Sequence, residues 1–256
     1  MALSWGQRRR VLIIGGAAAV LVAFIAILVI AIAYDKPTCV DNKQNQNEEG
    51  IDCGGSCQYL CKASVTNART IYARPLSPVS GRTDVIALVE NPNRTAAAKD
   101  AHYTIELRGD DASLIAKKEG SIDLPPGTTV PVFIPGLFSG YQTAVTAFFL
   151  LDDTNVNWYR YEEERVLPVV GTITILDTDT PRITAVLQNP SAYPMRNVQA
   201  VVTVFDAKGN VIGASQTVLS EISARGKADA VFTWPDAFPQ QAVKAEVRPT
   251  LPLTAV

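Results

Sequence analysis

The chain has 256 residues, 47% hydrophobic and 19% charged, with a net charge of −2, one histidine and four cysteines. Arg8, Arg9 and Arg10 supply +3 and the first 34 residues hold no acid, so the remainder carries −5. That acidic balance argues against nucleic acid or anionic lipid as the main partner of the later residues, and a lone histidine leaves no His pair for a metal.

Residues 11–33 are an uncharged apolar run directly after the three arginines. As a helix the run covers about 35 Å, enough for a hydrocarbon core of about 30 Å. It is too long for the apolar part of a cleaved signal peptide, although Ala31-Ile32-Ala33 has the small-x-small form of a cleavage site. Lys36-Pro37-Thr38 before Cys39 is not a lipobox. The expectation is an uncleaved transmembrane anchor in contact with lipid. The arginines hold residues 1–10 in the cytoplasm, and everything from about Tyr34 onward lies outside. Gly15, Ala19 and Ala23 recur at the spacing of a helix-contact face, but small residues are common in membrane helices and the spacing is read as that.

All four cysteines, Cys39, Cys53, Cys57 and Cys61, fall in a polar stretch, residues 34–61. So little apolar surface cannot form a core, and two disulfides in an oxidising compartment are the expected means of ordering it. Four cysteines allow three pairings, and the sequence does not choose between them. Zinc held by four thiolates is disfavoured by the wide spacing and the compartment. Asp41, Asn45, Asn47, Glu49 and Asp52 are oxygen ligands in one short loop with Gly50, a candidate calcium set without EF-hand spacing. With Asp41, Asn45, Glu48, Gly50, Asp52, Gly54 and Gly55, the cysteines resemble a short Cys-Gly-Gly module of bacterial surface proteins. That resemblance implies a stalk or spacer.

From residue 62 onward the pattern is β. Short runs of Val, Ile, Thr, Phe and Tyr alternate with Pro, Gly, Asn and Asp. Residues 85–92 (VIALVENP) are echoed by 183–190 (ITAVLQNP), and each Asn-Pro ends a strand because proline has no N–H for the ladder. Tyr103, Ile105 and Leu107 match Ala200, Val202 and Val204; Phe133 matches Phe232. Gly127 and Gly226 close matching turns, and residues 207–210 form a hairpin turn. A constant offset near 98 residues predicts a tandem duplication. The expected fold is all-β: two immunoglobulin-like sandwiches, residues 62–168 and 169–256, after the transmembrane helix. Val202-Thr203-Val204-Phe205-Asp206 and the turn after it resemble the FxLyD family and the related water-stress domains of late-embryogenesis-abundant proteins. These are small β-sandwiches often found on anchored bacterial proteins, and the resemblance implies no catalytic residues.

Catalytic signals are sparse. His102 lies on the polar face of an alternating strand. Ser139 lacks the Gly-x-Ser-x-Gly spacing of a nucleophile elbow, and no phosphate-binding loop is present. Asn93-Arg94-Thr95 has the form of a glycosylation sequon. Trp158, Tyr159 and Tyr161 are the densest aromatic group and the candidate interaction residues; Trp158 faces opposite to the two tyrosines, so one face is expected to pack the first sandwich's core and the other to form an exposed patch. The expected role is non-enzymatic adhesion, scaffolding or envelope-assembly docking onto a protein or cell-envelope partner. An envelope hydrolase using Asp152, Asp153 and Glu162, Glu163 and Glu164 is the rival. A solute- or ligand-binding stress protein is the third reading.

Overall fold

The computed structural model describes residues 5–33, 38–45 and 47–253. Contacts divide the chain into two units, Met1–Asp52 and Cys53–Val256. The boundary falls inside the cysteine segment, which the sequence presents as one module.

The first unit holds a helix, α1 (Trp5–Ala33), which starts six residues before the apolar run and carries the three arginines. Arg9–Val29 is long and apolar enough to cross a membrane, and none of it is buried against protein. Its large apolar side chains point outward all round, as a lipid-facing helix requires and a core-packing stripe does not. Lys36-Pro37 and Gln46 lie outside the described residues.

The second unit contains thirteen strands among the described residues. The first seven are β1 (Arg69–Val79), β2 (Arg82–Glu90), β3 (Ala96–Arg108), β4 (Leu114–Leu124), β5 (Thr129–Ser139), β6 (Thr146–Leu151) and β7 (Trp158–Arg160). They form two facing antiparallel sheets, β1-β2-β5 and β4-β3-β6, with β7 added to β3. The next six are β8 (Val169–Leu176), β9 (Arg182–Gln188), β10 (Met195–Phe205), β11 (Val211–Ile222), β12 (Lys227–Thr233) and β13 (Lys244–Thr250). They form the sheets β12-β9-β8 and β11-β10-β13. The two strand orders coincide, and the strands before each Asn-Pro, β2 and β9, are both central.

Alternation fills two cores. Val85, Ala87 and Val89 meet Ile105, Leu107 and Phe149 in the first; Ile183, Ala185 and Leu187 meet Val198, Val202 and Phe232 in the second. A third apolar layer joins the sandwiches. Leu76 and Ile86, on the outer face of β1-β2-β5, are buried against Val201 and Ala214 on the outer face of β11-β10-β13. The four sheets therefore stack, with β2 and β10 buried on both faces. This explains why β2 reads as a continuous apolar run rather than an alternating one. Burying the side chains of Leu76, Ile86 and Val201 contributes about 1.5–3 kcal/mol each. At the margin of the layer Arg248 Nη1 donates to Thr129 Oγ1 at 3.0 Å.

Candidate functional site

The cysteine segment orders itself without a hydrophobic core. Cys53 and Cys61 are disulfide-bonded, Cα to Cα 4.9 Å, and none of the four cysteines is free. Residues 53–61 are built onto the first sandwich. Leu60 N donates to Trp158 O at 2.9 Å, Arg160 N to Gln58 O at 3.0 Å, and Tyr59 bridges Tyr159. This short stretch extends the sheet beyond β7.

The calcium candidates sit in the first unit, where the Asp41 and Asp52 carboxylates serve turns while Asn45 Oδ1 is buried without a hydrogen-bond partner. Asp52 accepts from the N–H groups of Asp41 (2.9 Å) and Asn42 (2.9 Å). Asp41 accepts from Asn45 Nδ2 (2.9 Å), Thr38 N (3.2 Å) and Lys43 N (2.9 Å). These bonds, led by that from Asn45, hold the Asp41 carboxyl below the usual carboxylate range. Asn42, Asn47 and Asp52 take left-handed backbone, a conformation Asn and Asp tolerate. The Asn/Asp richness of the loop thus has a conformational cause. Among the described residues Asp41, Glu49 and Asp52 do not bring three carboxylate oxygens within 4.8 Å of one another.

The aromatic group requires a correction. Trp158 packs the first core, as expected of one of the two faces, but Tyr159 is also only 4% exposed, so the second face is not the open interaction patch expected of it. Opposite facing does occur: Trp158 fills the first core, while Tyr159 and Tyr161 turn the other way and meet edge-on at 6.2 Å. The tyrosine side is covered by Leu253, whose N–H donates to Asp123 Oδ2 at 2.9 Å. Burial, then the charge of Asp123, pushes the Tyr159 hydroxyl up.

The carboxylates of the hydrolase reading form no cluster of three among the described residues. Asp152 closes its own turn, accepting from Thr154 Oγ1 at 2.5 Å and Asn155 Nδ2 at 2.7 Å, which lowers its pKa. Asp153 accepts from Asn67 Nδ2. Glu162, Glu163 and Glu164 are exposed in the segment after β7. Among the described residues no three of these five bring their oxygens within 4.8 Å. His102 and Ser139 are exposed strand residues. Asn93 of the sequon gives its amide to Thr66 O (2.7 Å) and Asn91 Oδ1 (2.9 Å), so its nitrogen is engaged by the fold.

Buried polar groups serve the architecture. Asp84 accepts from Arg82 Nε and from Gly136 N, both at 2.7 Å. Asp206 ties the expected β10–β11 turn through Lys208 N, Asn210 N and Asn210 Nδ2, each at 2.8 Å. The Asn210 side chain leads in lowering the Asp206 pKa. Asn91 and Asn189 are fully buried, a role the strand-end reading missed. The one signal was their shared place before proline at matching offsets.

What remains for recognition is surface. A cleft of about 600 Å³ opens between the sandwiches, bordered by Asp100, Tyr103, Gln199 and Gln216. Phe148 and Leu150 are exposed on the outer face of β6, with Arg108 stacked over Phe148 at 5.9 Å. The edge strand β8 carries exposed Val169 and Leu176.

No family model and no curated protein matches the chain. Among solved structures, a red sea bream transglutaminase aligns over 75% of this chain and 32% of its own at 15% identity, with a TM-score of 0.21. A putative beta-galactosidase from Bacteroides fragilis aligns over 68% of this chain and 33% of its own at 10% identity, with a TM-score of 0.19. The chain spans about a third of the length of either structure, and alignments this loose set neither fold nor chemistry for it.

Proposed function

We propose that this protein is a single-pass, membrane-anchored, non-enzymatic display protein that docks a protein or envelope partner through its β-sandwiches. The observation that carries the reading is the combination of the unburied apolar span Arg9–Val29 with a β unit whose buried carboxylates and carboxamides are spent on turns and strand ends. The arginines before the span support a cytoplasmic N-terminus, and the disulfide suits an oxidising exterior.

The sandwiches at residues 62–168 and 169–256 are FxLyD-like copies of one duplicated unit in this reading. Their identical strand orders support it, as do Asp100 and Asn197, 97 residues apart and both left-handed. Exposed sheet edges make strand addition the available docking mode. The test is photo-cross-linking from exposed strand positions in native envelopes, alongside neutralisation of Asp152, Asp153 and Glu162 to Glu164. The reading expects discrete envelope partners from the strands and full function without the five carboxylates. Loss of function on neutralisation, with cross-linking unchanged, would contradict it and favour the hydrolase.

A further inference from the structure

Resting on the docking reading above, we infer that β8 is a self-association edge. It pairs antiparallel with β8 of a second copy about a two-fold axis at Thr174, and two three-stranded sheets become one of six strands.

An edge strand presents a row of unpaired N–H and C=O groups, and proteins blunt such edges with charge, proline or a covering element. β8 reads VVGTITIL, with neither charge nor proline. Its counterpart in the first sandwich, β1, carries Arg74, Pro75 and Pro78, and Thr70 Oγ1 reaches across that corner to Phe149 O at 3.0 Å. Among the described residues no hydrogen bond outside the β8–β9 ladder reaches residues 169–176. The other edges differ. β4, β12 and β13 carry lysines and acids, β5 carries two prolines, β11 carries Glu221, and the short β6 is the strand that Thr70 reaches.

The pairing register follows from the faces. A bulge between Val170 and Ile173 bends the first half of β8, whereas Ile173 to Leu176 runs in regular register with Ala185 to Arg182. Ile173 and Ile175 turn toward the second core, while Thr174 and Leu176 are exposed. Directly opposite residues of an antiparallel pair share a face, so a sheet that keeps both cores on one side must centre the two-fold axis on a residue. Centred on Thr174, the pairing sets Thr174 opposite its copy, Ile173 opposite Ile175 and Thr172 opposite Leu176. Apolar rows continue across the junction and no like charges meet. A foreign strand would need matching alternation; a second copy has it by symmetry. Confinement of two anchored copies to one membrane raises their effective concentration, so a short ladder suffices.

The test uses the full chain in lipid vesicles, its native disulfides intact, with a single added cysteine. Under mild oxidation T174C is expected to form a covalent dimer at least tenfold more efficiently than T172C, which the register places opposite Leu176. In detergent, T174K is expected to weaken dimerisation at least tenfold with an unchanged far-ultraviolet spectrum. Equal cross-linking at both positions, no cross-linking at either, or a dimer that survives T174K would overturn the inference; the last would assign association to α1. Cross-linking of T174C in native envelopes to a different protein would also overturn it, while leaving the docking reading intact.

Discussion

Asn91 and Asn189, 98 residues apart, make the same staple in two sandwiches. Asn91 Nδ2 donates to the carbonyls of Ala96 (2.8 Å), Leu124 (3.1 Å) and Pro125 (2.9 Å), and its Oδ1 accepts from Asn93 N at 3.0 Å. Asn189 Nδ2 donates to Tyr193 (2.8 Å), Ile222 (3.1 Å) and Ser223 (3.1 Å), and its Oδ1 accepts from Ser191 N at 2.8 Å. Each side chain ties the end of its central strand to the end of the strand after next; Asn91 also reaches the first residue of β3, and Asn189 the turn just before β10. One amide serves three backbone carbonyls in each sandwich, of which Pro125 O and Tyr193 O also accept from Thr128 Oγ1 and Ser191 Oγ.

Asn91→Ala is expected to cost about 3 kcal/mol, because the buried carbonyls of Ala96 and Leu124 lose the amide donor. Asn91→Asp should cost more at neutral pH, since it sets a carboxylate against three carbonyl oxygens. Denaturant titration of both variants, and of the matching pair at Asn189, checks this. A change below about 1 kcal/mol at either site would contradict the staple.

The layer between the sandwiches makes them unfold together. Ile86→Ala is expected to cost about 3 kcal/mol and to shift one cooperative transition of residues 53–256. Calorimetry checks it. Two separate transitions, with only the earlier sandwich affected, would contradict the shared layer.

The Cys53–Cys61 bridge closes a short loop, and its loss should cost about 2.5 kcal/mol by loop-closure entropy. Because residues 53–61 pair with β7, replacing both cysteines with serine should speed amide exchange at Leu60 and Arg160 before it affects β9 or β10. Unchanged exchange at those two amides would contradict the pairing.

Stability should fall at both ends of the pH scale. Asp111, Asp152 and Asp206 have lowered folded-state pKa values, through side-chain bonds from Ser113, Thr154 and Asn210 respectively. Their contribution is present above the unfolded pKa of about 3.9 and is lost as pH falls through the lower folded values. Tyr72, Tyr103 and Tyr159 are raised, each mainly by burial. Their contribution is complete below about pH 10 and is lost as pH rises through the folded values. Chemical denaturation across pH should therefore give a plateau with acid and alkaline limbs. Asp206→Ala, which removes an acceptor of three bonds, should lower the plateau and flatten the acid limb.

Local pattern and chemistry made much of this structure legible. The uncharged run announced α1, alternation from Tyr103 to Arg108 announced β3, and the Asn-Pro pairs marked the ends of β2 and β9. The hairpin at residues 207–210 followed from its turn residues. Contacts between distant parts were hidden. Nothing near Ile86 indicates that Val201 will cover it, and nothing near Tyr159 indicates Leu253. Alternation therefore separates Trp158 from the two tyrosines, but nothing local shows that the tyrosine face is covered as well. The buried Asn staples escaped for the same reason, since their acceptors lie up to 34 residues away in sequence.

The central claim is that an uncleaved anchor holds the β unit outside the cell, and terminal tags on the native chain test it most directly. With protease added to intact spheroplasts, the C-terminal tag and residues 62–256 should be degraded while the N-terminal tag is protected, and the mass of the undigested chain should include residues 11–33. A protected C-terminus, or a mature chain that begins after residue 33, would contradict the account.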